Sequence, residues 1–443
     1  MTVTHSQSML DARALYEERC RHALSIALEE TPLYASWRSR DPGVSRSVDE
    51  RYQSLPLLTK NDIRAHFPYG LVPRGRDLDA ARARGEVGYV HTSGTADEVL
   101  ENIWNQKWWD ESERASWALN AAAARAATGT HPEAILASAL SVGPRSDGAP
   151  LDRTARSLGR FLFLNEYGST VAWPQGHEKR ILAEIAAYQP RVLEANPSLL
   201  ARVARWAYQN GVEAWQPPVI TLTYEFPSEL HLRAIRRVFH SPIASSYGST
   251  EAGYVFMECE HGRLHQNAET CRVDMVPLPG GDGKPGVPPG GLGRIVATTL
   301  GNDWFQLLRF EIGDVGRVSV DPCPCGRDFG ITLSAVEGRL KSLCVAGDGT
   351  IVTHRQLDQA LAAVDGLEQY RVDQDSPELV RCAVVEEHGG PRGIARKAED
   401  ALRALFGPRV RLEVTRAPML APEASGKFLL ALRSFPLEEA VHV

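Results

Sequence analysis

No apolar run in the sequence approaches membrane-spanning length, which argues against a spanning helix. A basic excess is also missing. The 49 Lys and Arg residues face 55 Asp and Glu, a net charge of −6, so no cationic surface invites nucleic acid. Cysteine is sparse, at 7 in 443 residues, too few for a disulfide framework. The early residues Asp11, Arg13, Glu17, Glu18 and Arg19 carry charge where a secretory leader would be apolar. These absences predict a cytoplasmic protein with neither nucleic acid nor a membrane as partner. What is present is ordinary globular composition, 43% hydrophobic and 23% charged, in a chain long enough for two domains.

Residues 10–30 read as a helix with Leu24, Ala27 and Leu28 on one face, stopped by Pro32. Thr59, in Leu55-Pro56-Leu57-Leu58-Thr59-Lys60, reads as a helix N-cap. Val87-Gly88-Tyr89-Val90 predicts a short strand that runs into Thr92-Ser93-Gly94-Thr95. Trp104, Trp108, Trp109 and Trp117 follow as core packing and lead to an Ala-rich helix at about 118–127. Helices are expected at 178–188, from Ser198 to Gly211 and at 227–239, with strands at 191–193, 219–222 and 242–247. Such alternation predicts a parallel α/β sheet. Residues 263–276 and 292–299 are β-rich around a Gly/Pro-rich loop, and the chain after about residue 340 mixes two helices with several strands.

Three polar segments each come just after an expected strand. Thr92–Thr95 offers backbone N–H groups and hydroxyls that can cradle phosphate oxygens. Thr223–Glu225 ends the 219–222 strand. Tyr247-Gly248-Ser249-Thr250-Glu251 sets a hydroxyl beside a carboxylate, suited to a phosphoryl oxygen and to magnesium. Each segment alone is compatible with a plain turn. Ligands on parallel sheets bind beyond the carboxyl ends of the strands, so all three can share one cleft.

In this order, Thr92-Ser93-Gly94-Thr95, Tyr247-Gly248-Ser249-Thr250-Glu251, Gly313-Asp314 with Gly338-Arg339-Leu340-Lys341, and Ser425-Gly426-Lys427 resemble the adenylate-forming superfamily of acyl- and aryl-CoA ligases. Leu55-Pro56-Leu57-Leu58-Thr59-Lys60 with Phe67-Pro68, and Cys323-Pro324-Cys325-Gly326-Arg327, resemble its phenylacetate–CoA ligase branch. The resemblance implies a large N-terminal domain, 1–338, with parallel sheets flanked by helices and a β-rich subdomain. It also implies a small mobile C-terminal α+β domain, 339–443. Thr95 and its loop would hold ATP phosphates, Thr250 the α-phosphate and Glu251 magnesium. Asp314 would accept the ribose hydroxyls, Tyr247 would stack on adenine, and Glu225 would match the glutamate of a Gly-Gly-Glu segment. Lys427 would stabilise charge between the attacking carboxylate and the α-phosphate. Arg339 and Lys341 fall in the hinge motif, with Lys341 the hinge itself.

Two departures from the family pattern stand out. The phosphate loop continues with Ala96-Asp97-Glu98-Val99 instead of Thr-Gly, placing acid beside polyphosphate. The adenine segment reads Thr223-Tyr224-Glu225, so Tyr224 fills space that glycine leaves open. The expected activity is an AMP-forming ligase: ATP activates an acid, aromatic by the resemblance, and a thiol, CoA, takes the acyl group. The alternatives are transfer to an acyl carrier protein or an amine, or a degenerate nucleotide-binding homologue.

The remaining cysteines carry their own argument. Cys259 and His265, then Cys323 and Cys325, supply three thiolates and one imidazole, a tetrahedral set for structural zinc. Cys271 or His261 could replace one member. Cys20, Cys344 and Cys382 are expected to be ordinary buried thiols.

Overall fold

The computed structural model describes residues 2–92, 100–146, 148–279, 286–423 and 426–439, with side chains from residue 11 onward. Strands Phe161–Phe163, Glu133–Leu136, Val192–Ala195, Val219–Leu222 and Ile243–Ser249 lie side by side in that order, all parallel. Parallel strands need crossovers, and the crossovers cover the sheet. Helices His177–Tyr188, Pro197–Asn210 and Glu229–Arg236 pack on one face, burying Leu136, Leu162, Leu193, Ile220 and Leu222. The middle helix starts at the Asn196 side-chain cap, with Pro197 in its first turn, and ends at Gly211 with φ 63°.

The opposite face is covered by helices Gln106–Trp117 and Ala121–Ala126, with Trp117, Ala123, Val192, Val219, Ala244 and Met257 buried between. A single Ala-rich helix at 118–127 was expected. The Asn120 carboxamide instead accepts from the Ala122 and Ala123 backbone N–H groups and starts a separate helix there. Trp108 and Trp117 are buried, as core packing requires.

Beyond Ser249 the sheet becomes antiparallel. Gly253–Glu258 pairs back on Ile243–Ser249, and Leu264–Gln266, Thr332–Arg339, Phe310–Val318, Leu292–Thr299 and Cys271–Pro277 extend it into a twelve-stranded mixed sheet. The helix Thr2–Ser25 and its π-helical continuation Ile26–Glu30 set Leu24, Ala27 and Leu28 into the core of this β-rich side. Thr59 caps Lys60–His66 with a reciprocal bond to Asp62.

Residues 344–431 build another core. A four-stranded sheet, in the order Arg411–Arg416, Leu379–Glu386, Leu367–Ser376 and Ala431–Arg433, packs with helices His354–Ala362 and Ile394–Phe406. This unit docks on the helices beneath the parallel sheet. The Glu229 N–H donates to Asp358 at 2.7 Å, and Arg205 pairs with Glu368 at 2.9 Å.

One expected strand is placed differently. Gly88–His91 does not join the parallel sheet but pairs antiparallel with Glu101–Trp104 as a two-stranded hairpin. The partner run, Leu100-Glu101-Asn102-Ile103-Trp104, carries the β-formers that make this possible. Among the described residues, no helix is long and apolar enough to cross a membrane.

Candidate active site

The turn after Ile243–Ser249 sets the site. Gly248 is required by close approach rather than by an unusual φ: a Cβ there would lie 2.2 Å from the Gly253 carbonyl oxygen. The positive φ of the hairpin belongs to Gly253, at 70°. The turn leaves Thr250 half-buried and Glu251 buried. Tyr247 crosses to the next element, donating its hydroxyl to Asp314 Oδ2 at 2.8 Å. Asp314 sits opposite Arg339 in the antiparallel register, and the guanidinium Nε lies 3.7 Å from Asp314 Oδ1.

Glu225 joins this group to the C-terminal unit. Its carboxylate accepts from the Ser198 N–H at 2.9 Å, at the N-terminus of helix Pro197–Asn210. It also accepts from the Phe428 N–H at 2.9 Å. Burial raises the Glu225 pKa, opposed by these hydrogen bonds and by Asn196. Two residues before Phe428, Gly426 takes φ 79°, and a Cβ there would meet Ser138 Oγ at 2.1 Å and the Gly168 oxygen at 2.9 Å. Only glycine allows so close a seat. Lys427 is thus fixed from both sides. Its pKa is lowered by burial first and by Arg339 second, while Glu225, Asp314 and Glu251 oppose the shift. Expected site residues from four distant parts of the chain therefore act electrostatically on one ammonium group.

The other expected residues are placed as follows. Thr92 closes the mouth of the hairpin, accepting on its hydroxyl from the Leu100 N–H at 2.8 Å while its own N–H donates to the Leu100 carbonyl. Ser93, Gly94, Thr95 and the acidic run Ala96–Val99 lie outside the described residues, as does Ser425. Lys341 is exposed on the short turn Leu340–Ser342, directly after strand Thr332–Arg339.

The cysteine set also converges. Cys259, His265, Cys323 and Cys325 offer four ligand atoms that all lie within 4.8 Å of one another. Cys259 Sγ is 3.6 Å from Cys323 Sγ, and Cys325 Sγ is 3.2 Å from His265 Nε2. A tetrahedron with Zn–S bonds of about 2.3 Å has edges of roughly 3.8 Å, so the donors stand at metal-site spacing. The other imidazole nitrogen, Nδ1, is 3.3 Å from the Thr332 hydroxyl, the outer contact that orients a histidine ligand. Cys271 is buried elsewhere, with Sγ 3.3 Å from the Arg272 carbonyl, and His261 lies outside the set. Cys20, Cys344 and Cys382 are buried free thiols.

Sequence reasoning missed Ser138, Gly168 and Ser198, which seat the lysine loop, and a buried carboxylate group of Glu113, Glu133 and Glu194. Glu194 did carry a signal. It is a charge inside Val-Leu-Glu-Ala, a strand buried on both faces.

No family model matches the chain. The sequence is 26% identical over 365 residues to a phenylacetate–coenzyme A ligase of Thermus thermophilus, covering 80% of this chain and 75% of that one. It is 21% identical over 259 residues to protein CapK of Staphylococcus aureus, covering 58% and 56% respectively. Among solved structures, 2-hydroxyisobutyryl-CoA ligase in its postadenylation state superposes with a TM-score of 0.68 at 16% identity, over 92% of this chain and 87% of that one. The same ligase in its thioesterification state scores 0.56 at 17% identity, over 95% and 89%. This chain is similar in sequence to a phenylacetate–coenzyme A ligase and has the fold of 2-hydroxyisobutyryl-CoA ligase.

Proposed function

We propose that this protein uses ATP to convert a carboxylic acid into an acyl-adenylate and pyrophosphate, then passes the acyl group to the thiol of CoA. The observation that carries the reading is the grouping of Glu225, Glu251, Asp314 and Arg339 around Lys427, whose ammonium feels all four charges, with Glu225 bonded to the neighbouring Phe428 N–H. In the first half-reaction a substrate carboxylate oxygen attacks the α-phosphorus and pyrophosphate leaves. Lys427 would offset the charge shared by the attacking oxygen and the α-phosphate. Asp314 would exchange its Tyr247 partner for the ribose hydroxyls, and Tyr247 would lie against adenine. Thr250 would donate to an α-phosphate oxygen, and the Thr92–Thr95 loop would hold the remaining phosphates. Magnesium, held by Glu251, would supply charge neutralisation for the leaving pyrophosphate.

In the second half-reaction the CoA thiolate attacks the acyl carbonyl and AMP leaves. The unit after residue 339 would turn about Lys341 between the two stages. The better match to the postadenylation state than to the thioesterification state, 0.68 against 0.56, supports an arrangement set for acid activation. The phenylacetate–CoA ligase relative favours an aromatic acid. ATP–pyrophosphate exchange over a panel of carboxylic acids tests the reading. Exchange stimulated by an aryl acid, followed by a thioester once CoA is added, is expected. ADP as the nucleotide product would contradict it.

We propose further that Cys259, His265, Cys323 and Cys325 hold one structural zinc. Four protein donors fill a tetrahedron and leave no position for catalysis. The ion would join the turn after Gly253–Glu258 to the segment before Thr332–Arg339, which Arg327 and Glu260 also bridge at 3.0 Å.

A further inference from the structure

Between the parallel sheet and helix Gln106–Trp117 lies a charged group that the reaction does not use. Glu113, Glu133 and Glu194 bring carboxylate oxygens within 4.8 Å of one another, and Glu133 and Glu194 are buried. The cations there are few. Arg160 bonds to Glu133 and lies 3.4 Å from Glu113, and His131 Nε2 lies 3.2 Å from Glu133. Two tyrosines complete the surroundings: Tyr254 donates to Glu113 at 3.0 Å, and Tyr224 donates to Glu194. Both are close in sequence to expected site residues. Tyr224 precedes Glu225, which holds the lysine loop, and Tyr254 follows the Thr250–Glu251 turn.

A second observation is independent of the carboxylates. Buried polar atoms are almost always paired. Around this group, Glu133 Oε1, Thr221 Oγ1 and Ser116 Oγ are buried without a hydrogen-bond partner among the described residues. Thr221 is the register neighbour of Glu194 on the adjoining strand, and Ser116 lies one helical turn from Glu113. Tyr224 adds a third mark, holding φ 76° with a bulky side chain, a strain that clusters at ligand sites.

We propose that Glu113, Glu133 and Glu194 form the inner end of the acid-binding site and take a protonated amine carried by the substrate acid. The proposal rests on the ligase reading above. The substrate carboxylate would meet Lys427, and its ammonium group would pass beside Tyr224 to the three carboxylates. An ammonium with three N–H donors suits acceptors on several sides. Burial, with the neighbouring carboxylates adding to it, raises Glu113 to about 7 and raises Glu194 also. A buried cation would reverse that drift and hold the carboxylates ionised. A divalent metal suits the group less, because Arg160 already engages two of the three carboxylates.

The test pairs 4-(aminomethyl)benzoic acid with 4-ethylbenzoic acid, close in shape and differing in charge. Each is measured by pyrophosphate exchange and by calorimetric titration of the whole protein. Expected are at least a tenfold preference for the amine in both assays and a fall of that preference by tenfold or more in Glu194→Gln and in Glu113→Gln. Equal binding of the two acids, with the ratio unmoved in either variant, would overturn the proposal and leave a structural or water-filled network. A bound metal kept by Cys323→Ser but lost by Glu194→Gln would overturn it as well. If no acid supports exchange, the ligase reading fails, while the titration still decides whether the carboxylates bind the amine.

Discussion

Replacing Gly426 by alanine isolates the seat of the lysine loop from the chemistry of the lysine itself. Two strains add. An L-residue at φ 79° carries about 1–2 kcal/mol. The new Cβ would also meet Ser138 Oγ at 2.1 Å, Ser138 Cβ at 2.7 Å and the Gly168 oxygen at 2.9 Å. Rotating the Ser138 hydroxyl relieves only the first contact and breaks its 2.9 Å bond to the Gly168 carbonyl. Overpacking of this kind is worth roughly 1–3 kcal/mol. Together the strains amount to about 2–5 kcal/mol, which slows acid activation by about 30-fold to about 5,000-fold at 1.36 kcal/mol per decade. The loop sits on the surface of the C-terminal unit, so the strain is released by withdrawal rather than unfolding. Pyrophosphate exchange should therefore collapse while the melting temperature stays close to wild type. Thioester formation from supplied acyl-AMP should persist, and adding Ser138→Gly should recover part of the exchange rate. Exchange in Gly426→Ala within threefold of wild type would refute this seat for Lys427.

Other consequences are as direct. Asp314→Ala removes the charged acceptor proposed for the ribose and should weaken ATP binding by roughly 1.5–3 kcal/mol, which calorimetry reads as about 10- to 150-fold in Kd. Purified protein should carry about one zinc per chain by metal analysis, lost in Cys323→Ser and kept in Cys20→Ser, and chelation should lower the melting temperature. The lowered pKa of Lys427 sets the sign of the alkaline limb, because burial favours the neutral amine and the protonated form is the one proposed to act. The kcat/KM of acid activation should fall as pH rises through a value below the ordinary lysine range. The limb of kcat should lie higher, since bound ATP adds negative charge.

Much of this architecture is visible in the residues because buried parallel strands and capped helices leave local marks. Val219–Leu222 was readable as an apolar run, and Thr59 as a cap, since both follow from chemistry within a few residues. The hairpin of Gly88–His91 with Glu101–Trp104 was not, because a strand's own sequence does not say which partner it takes. The cysteine set was legible through its ligand types, although residues 259 and 323 come together only in the folded chain. Glu225 was expected beside the adenine. Its present bonds to Ser198 and Phe428 depend on a docking surface that no local pattern encodes. The three-glutamate group was missed for the same reason: Glu194 alone carried a local signal, and its partners on a helix and a second strand join it only in the folded chain.

The central claim is that one half-buried lysine, Lys427, brought in by the C-terminal unit, drives formation of an acyl-adenylate. Mass spectrometry of single turnovers with ATP and an activated acid, for wild type and Lys427→Ala, tests it most directly. The account predicts acyl-AMP from wild type, none from Lys427→Ala, and thioester from both when acyl-AMP and CoA are supplied. Acyl-AMP formed by Lys427→Ala at the wild-type rate would contradict it, as would a folded variant that loses both half-reactions equally.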